Sequence, residues 1–266
     1  MTELQDKRLF LLDMDGTIYL DDRLFDGVIP FLARVREKGG RYLFLTNNSS
    51  RGVESYMEKL AGMGIATGPE DYLTSVDATI EALRRDHPGK RCYVQGTASF
   101  RGQLEAAGIP VACGREDGAE VLVSGFDREL TFQKLEDACI LLNRGLPWLA
   151  TNPDWVCPTW YGSVPDCGSV CEMLHRATGR QPVFIGKPQP AMARLALART
   201  GYPPEAAVLI GDRLYTDIAC AANAGIDSIF VLSGEGKAGD IEREDIHPTW
   251  VYDDINAVFR AWEETP

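Results

Sequence analysis

Runs of three or four apolar residues alternate along this chain with stretches whose apolar positions recur at helical spacing. Leu9-Phe-Leu-Leu12 precedes a helical pattern over Val28 to Lys38, which precedes Tyr42-Leu-Phe-Leu45. Further on come Cys92-Tyr-Val94, Val121-Leu-Val123, Trp148-Leu-Ala150, Val183-Phe-Ile185, Val208-Leu-Ile210 and Ile229-Phe-Val-Leu232. The segment Thr131 to Asn143 carries Leu135, Ala138, Cys139 and Leu142 as one helical stripe. Short wholly apolar strands joined by helices bury both sheet faces, so the pattern predicts parallel sheets in an α/β architecture.

Four of these strands run into polar clusters. Leu12 leads to Asp13-Met-Asp-Gly-Thr17, Leu45 to Thr46-Asn-Asn-Ser-Ser50, Ile185 to Gly186-Lys-Pro188, and Ile210 to Gly211-Asp-Arg213. Ligands in open parallel sheets bind beyond the carboxyl ends of the strands, so the four clusters are predicted to converge on one crevice. The strands between residues 92 and 150 end in nothing comparable. They predict a separate α/β domain at residues 77–179, inserted into a core made of residues 1–76 and 180–266.

Length and charge narrow the chemistry. The 266 residues suffice for one large domain or two modest ones. With 27 basic against 39 acidic residues the net charge is −12, which disfavours nucleic acid and anionic membranes as partners. The charged start, Met1 to Arg8, has no signal-peptide core, and no apolar run reaches a membrane span. Seven scattered cysteines read as reduced thiols, and a cytoplasmic location is expected. Cys167, Cys171 and His175 recur every four residues, as zinc ligands on a helix face would. Pro165 and Gly168 place Cys167 at the helix start and no fourth ligand is apparent, so packing is the expected role.

Asp13 and Asp15 repel one another: two unit charges about 4 Å apart cost ~4 kcal/mol at an effective dielectric of about 20. A cation, a shared proton or a division into nucleophile and acid would justify both; a solvated turn is the plain alternative. A calcium loop is disfavoured, since its twelfth position counted from Asp13 is Leu24 rather than glutamate. Asp212 would emerge beside Asp13, and hard oxygen ligands on short loops suit Mg²⁺. Asp217 is either part of that set or an acid in the first turn of a helix capped by Thr216. Thr46 and Asn47 offer phosphate donors, or an ordinary helix cap. Lys187, held extended by Pro188, supplies an ammonium.

In this order the motifs resemble the haloacid dehalogenase-like hydrolases: Asp13-Met-Asp-Gly-Thr-Ile18, Thr46, Lys187, and Gly211-Asp-Arg-Leu-Tyr-Thr-Asp217. Thr46-Asn-Asn-Ser-Ser-Arg51, Gly186-Lys-Pro-Gln-Pro190, Ser124-Gly-Phe-Asp-Arg128 and Thr151-Asn-Pro-Asp154 are similar to the class IIA branch, the NagD-like and nitrophenylphosphatase-like enzymes. The cap run Pro165-Asp-Cys-Gly168 departs from that branch's Pro-Gly-x-Gly pattern.

The resemblance implies a Rossmann-like doubly wound core with an α/β cap, and a Mg²⁺-dependent phosphatase acting on small phosphomonoesters such as sugar phosphates or nucleoside monophosphates. By the same resemblance Asp13 is the nucleophile that forms an aspartyl-phosphate, and Asp15 is general acid and then base. Asp13, Asp212 and the Asp15 carbonyl would bind the metal, with Asp217 and Gly16 supporting. Thr46, Asn47 and Lys187 would bind phosphate, and the cap residues Asn152 and Asp154 are candidates for facing the leaving group. A homodimer is among the assemblies the family displays. A phosphotransferase or phosphomutase would use the same phospho-aspartate. A sugar-phosphate-binding protein without catalysis and a receiver domain are more distant alternatives, and phosphate release separates both from a phosphatase.

Overall fold

The computed structural model describes residues 3–159 and 161–264. The chain divides into two units: Met1–Thr46, Tyr56–Leu73 and Lys187–Pro266 form the first, Asn47–Ser55 and Thr74–Gly186 the second.

The first unit is built on a six-stranded sheet. Its spatial order is Trp250–Tyr252, Asp227–Val231, Ala207–Gly211, Leu9–Leu12, Arg41–Thr46, Tyr72–Thr74. The Leu9–Leu12 strand pairs in parallel with Ala207–Gly211 on one side and Arg41–Thr46 on the other. From this strand the chain winds outward one way through residues 41–74. After residue 187 it returns and winds the other way. That reversal is the topological switch point, and the loop carrying Asp13 leaves the sheet there.

Being central, Leu9, Phe10, Leu11 and Leu12 are all buried, which explains why the segment reads as an unbroken apolar run. Phe10 packs edge-on against Phe31 of the helix Val28–Glu37 and Trp262 of the helix Ile255–Glu263, with centroids 5.1 and 5.0 Å away. Each such side chain contributes about 1.5–3 kcal/mol by leaving water, so the strand bearing Asp13 is firmly held.

The second unit has a four-stranded parallel sheet in the order Val183–Phe184, Trp148–Ala150, Val121–Ser124, Cys92–Gln95, and an antiparallel hairpin, Val156–Thr159 with Gly162–Pro165. Helix Phe132–Asn143, capped by the Thr131 hydroxyl, buries Ala138, Leu141 and Leu142 against it. The unit runs further than predicted at both ends. Val183 and Phe184, assigned to the core from sequence, pair with Leu149 and Ala150, and Gly186 N–H still donates to Thr151 O. The boundary therefore falls at Gly186/Lys187 rather than at 179/180. At the other end, Thr74 caps the helix Ser75–Asp86, and Ser75 Oγ donates to the Asn47 carbonyl. Residues 74–76 and 47–55 accordingly join the second unit.

Cys167 opens the helix Cys167–Thr178, and its Sγ lies 3.9 Å from that of Cys171 in the core of this unit. His175 Nδ1 instead meets the Arg180 carbonyl at 2.8 Å, so the three residues do not converge on a metal. Among the described residues no helix is long and apolar enough to cross a membrane.

Candidate active site

Asp13 is the first polar position after the buried strand, and its N–H still completes the ladder to Ile210 O. The chain then turns sharply: Thr17 and Ile18 N–H groups donate to Met14 O, and Gly16 N–H to Tyr19 O. Gly16 has φ +82°, a left-handed conformation that glycine adopts without the steric cost of a Cβ. A Cβ there would also come within 2.4 Å of Asp212 Oδ2.

Lys187 Nζ lies 2.5 Å from Asp13 Oδ1 and 2.6 Å from Asp217 Oδ1, with its side chain 3% exposed. Asp13, Asp212 and Asp217 each offer a carboxylate oxygen within 4.8 Å of the others. Burial works against charging Lys187, but the Asp13 and Asp217 carboxylates outweigh it and hold the ammonium firmly protonated. Burial raises Asp13 well above the usual carboxylate range, Lys187 opposes this, and Asp217 and Asp212 add to it. Asp212 is pushed up to about 6, first by burial and then by the Asp217 charge.

Three carboxylates thus face one ammonium. Asp212 Oδ2 accepts the Glu235 N–H at 2.7 Å, while its buried Oδ1 has no hydrogen-bond partner among the described residues. An unsatisfied buried carboxylate oxygen is costly, and a hard cation shared with Asp13 is the group that this donor set fits.

Asp217 lies in the single wide turn Leu214–Ile218 and accepts the Arg213 N–H at 3.1 Å. Thr216 does not cap a helix there: the next helix, Ala219–Ala224, has Ile218 at its cap position. Gly211 permits the arrangement, since a Cβ on it would lie 2.3 Å from Asp217 Cβ.

One element of the site was not anticipated. The loop after the strand Asp227–Val231 wraps Asp212: Ser233 Oγ donates to Gly16 O at 2.7 Å, and Gly236 N–H donates to Asp212 O. A Cβ on Gly234 would meet Asp212 Oδ2 at 2.0 Å. The available signal was Ser233-Gly-Glu-Gly236, a glycine pair at a strand end in a segment treated only as core.

Asp15 points elsewhere. Its side chain is largely exposed, with Tyr19 Oη 3.4 Å from Oδ2 and Lys59 Nζ 3.9 Å from Oδ1. Thr46 ends its strand, buried, one strand over from Asp13. Asn47 belongs to the second unit, where its amide donates to Asp154 Oδ2 at 3.1 Å. Asn152 is fully buried and donates to Asp154 and Asp166. Asn47, Asn152 and Asp154 therefore form one buried polar network within that unit. Asp13, Asp15, Gly16, Thr46, Lys187, Asp212 and Asp217 belong to the first unit.

Residues 10–110 match the family model of the haloacid dehalogenase-like hydrolases, and residues 184–258 match a second HAD-hydrolase-like model. An acid sugar phosphatase of Staphylococcus aureus is 31% identical over 97% of this chain and 98% of its own. The crystal structure of a 4-nitrophenylphosphatase from Thermotoga maritima superposes with a TM-score of 0.92 at 39% identity, covering 98% of this chain and 99% of that one. A glycerol phosphate phosphatase from Mycobacterium tuberculosis, solved in complex with magnesium, gives a TM-score of 0.90 at 32% identity, over 99% of this chain and 79% of that one.

Proposed function

The chain belongs to the class IIA branch of the haloacid dehalogenase-like hydrolases and is a phosphatase of that type, and we propose that it hydrolyses small phosphomonoesters through a phospho-aspartate on Asp13 with Mg²⁺ as cofactor. The observation that carries the proposal is the triangle of Asp13, Lys187 and Asp217 beside the unsatisfied Asp212 oxygen.

Asp13, Asp212 and the Asp15 carbonyl would hold the metal, with Asp217 supporting. When bound, the ion supplies neutralisation of the like charges of carboxylate and phosphate. Asp13, fixed at the end of a buried strand, presents its carboxylate as nucleophile with little freedom to lose. Lys187 stabilises negative charge on the phosphoryl oxygens, joined by the Thr46 hydroxyl at the neighbouring strand end. Asp15, nearer to solvent than Asp13, gives its proton to the leaving alkoxide and then takes one from the attacking water. Breaking the phospho-aspartate bond returns Asp13 and releases phosphate.

A sugar phosphate is the favoured substrate class, supported by the sugar phosphatase among the relatives, with p-nitrophenyl phosphate as surrogate. Incubation with a radiolabelled phosphomonoester and acid quenching should leave label on Asp13. Label absent from wild type, or persisting in Asp13→Asn, would remove the covalent step.

A further inference from the structure

Glu235 lies outside the proposed chemistry, yet it is held at three points. Its N–H donates to Asp212 Oδ2 at 2.7 Å. Its carboxylate is gripped at both oxygens: Arg213 Nε lies 2.8 Å from Oε2, and the Tyr215 hydroxyl donates to Oε1 at 3.2 Å. Arg213 and Tyr215 are themselves firmly seated. The Arg213 N–H is bonded to Asp217 Oδ2, and Leu214 between them is buried with Ile218 and Phe230. The Arg213 side chain is 18% exposed, so water screens this ion pair less than one on the open surface. Glu235 is half-exposed and flanked by Gly234 and Gly236, whose backbones are the least restrained of any residue's. Its side chain therefore governs where its N–H points, and the N–H governs which Asp212 oxygen is engaged. With Oδ2 taken, the buried Oδ1 is the oxygen left for a cation.

We propose that Glu235, latched by Arg213 and Tyr215, is a positioning residue that fixes the rotation of the Asp212 carboxylate and so sets the affinity of the site for Mg²⁺. The inference rests on Asp212 being a metal ligand. Removing a group that orients such a ligand typically costs about 10–100-fold in metal affinity. None of the three side chains needs to touch the ion or the substrate.

Mg²⁺ alone is the probe, and the readout is its binding midpoint from melting temperatures measured without substrate. Glu235→Ala and Arg213→Met should each weaken Mg²⁺ binding by about tenfold. Tyr215→Phe, which changes no charge, should shift the midpoint in the same direction by less, and Arg213→Lys should recover part of the loss. The direction separates a latch from a bare electric field. Removing the Arg213 charge would by Coulomb attraction alone tighten the binding of a cation, whereas breaking the latch loosens it. The double variant should bind no more weakly than the worse single one, since both break the same contact. A purely structural contact would lower Tm in EDTA and leave the Mg²⁺ midpoint in place. That result, or tighter binding in Arg213→Met, would overturn the proposal. Asp212→Asn separates the two levels: if it abolishes the Mg²⁺ response while Glu235→Ala and Arg213→Met bind as wild type does, the latch alone fails. A wild-type midpoint in Asp212→Asn would remove the metal assignment and the inference with it.

Discussion

Lys187 Nζ sits 2.5 Å from Asp13 Oδ1, although 174 residues separate them and the strand before Lys187 belongs to the other sheet. Lys187 is the first residue of the returning core, and its ammonium bridges Asp13 to Asp217. Removing it leaves two buried carboxylates facing one another. Lys187→Met should therefore lower stability by about 3–5 kcal/mol in metal-free buffer, and abolish turnover. Denaturant melts compared with wild type check the first part, and phosphate release the second.

Asp13→Asn should lower turnover of p-nitrophenyl phosphate by at least about a thousandfold while the fold persists. Its burial already disfavours the charged form, so the neutral amide is tolerated in the native state. Circular dichroism and a melting curve should match wild type closely. Wild-type activity in the purified variant would exclude Asp13 as nucleophile.

Asp212 makes the metal-free protein sensitive to pH. Its folded value of about 6 lies above the ordinary 3.8, so the native state holds this proton more tightly than the unfolded chain does. The stabilisation is complete below about pH 4 and is lost as pH rises through about 6, a change of a few kcal/mol. Thermal melts in EDTA should show this group's contribution falling across that window. Mg²⁺ added above pH 6 should raise Tm, and Asp212→Asn should flatten both responses. A Tm indifferent to Mg²⁺ at neutral pH would argue against the metal site.

Gly234→Ala places a methyl group 2.0 Å from Asp212 Oδ2, in van der Waals overlap. Either the Ser233 to Gly236 loop or the carboxylate must move. A loss of stability of about 1–3 kcal/mol and at least about tenfold in activity is expected. The loss in activity should exceed that of Gly239→Ala, where a Cβ meets nothing within 4 Å. Parallel assays of the two variants decide it.

In the second unit, Asn152→Ala would remove one donor each from buried Asp154 and Asp166, which keep the Asn47 amide and the Cys167 N–H. A stability loss of about 1–3 kcal/mol follows from losing two buried hydrogen bonds. Differential scanning calorimetry of the variant measures it.

Alternating apolar runs and helical stripes were sufficient to determine the α/β class, because a strand buried on both faces has no room for polar residues. The first polar residue after such a run marks where the chain leaves the sheet, so Asp13, Thr46 and Asp212 were legible as strand-end groups. Lys187 was legible for the same reason, although its strand lies in the second sheet: what brings it to Asp13 is the course of the chain beyond Gly186.

Local pattern carried no information on pairing partners. The Val183–Phe184 strand has the same apolar character in either sheet, and only its bonds to Leu149 and Ala150 assign it. Asn47 follows Thr46 directly, yet its amide is tied to Asp154, 107 residues away. The glycines at 16, 211 and 234 look alike as turn residues. Only the fold gives them their neighbours: Gly16 and Gly234 make space for Asp212, and Gly211 for Asp217. Which side chains meet depends on how distant segments pack, and hydrophobic periodicity records burial without recording what lies across the interface.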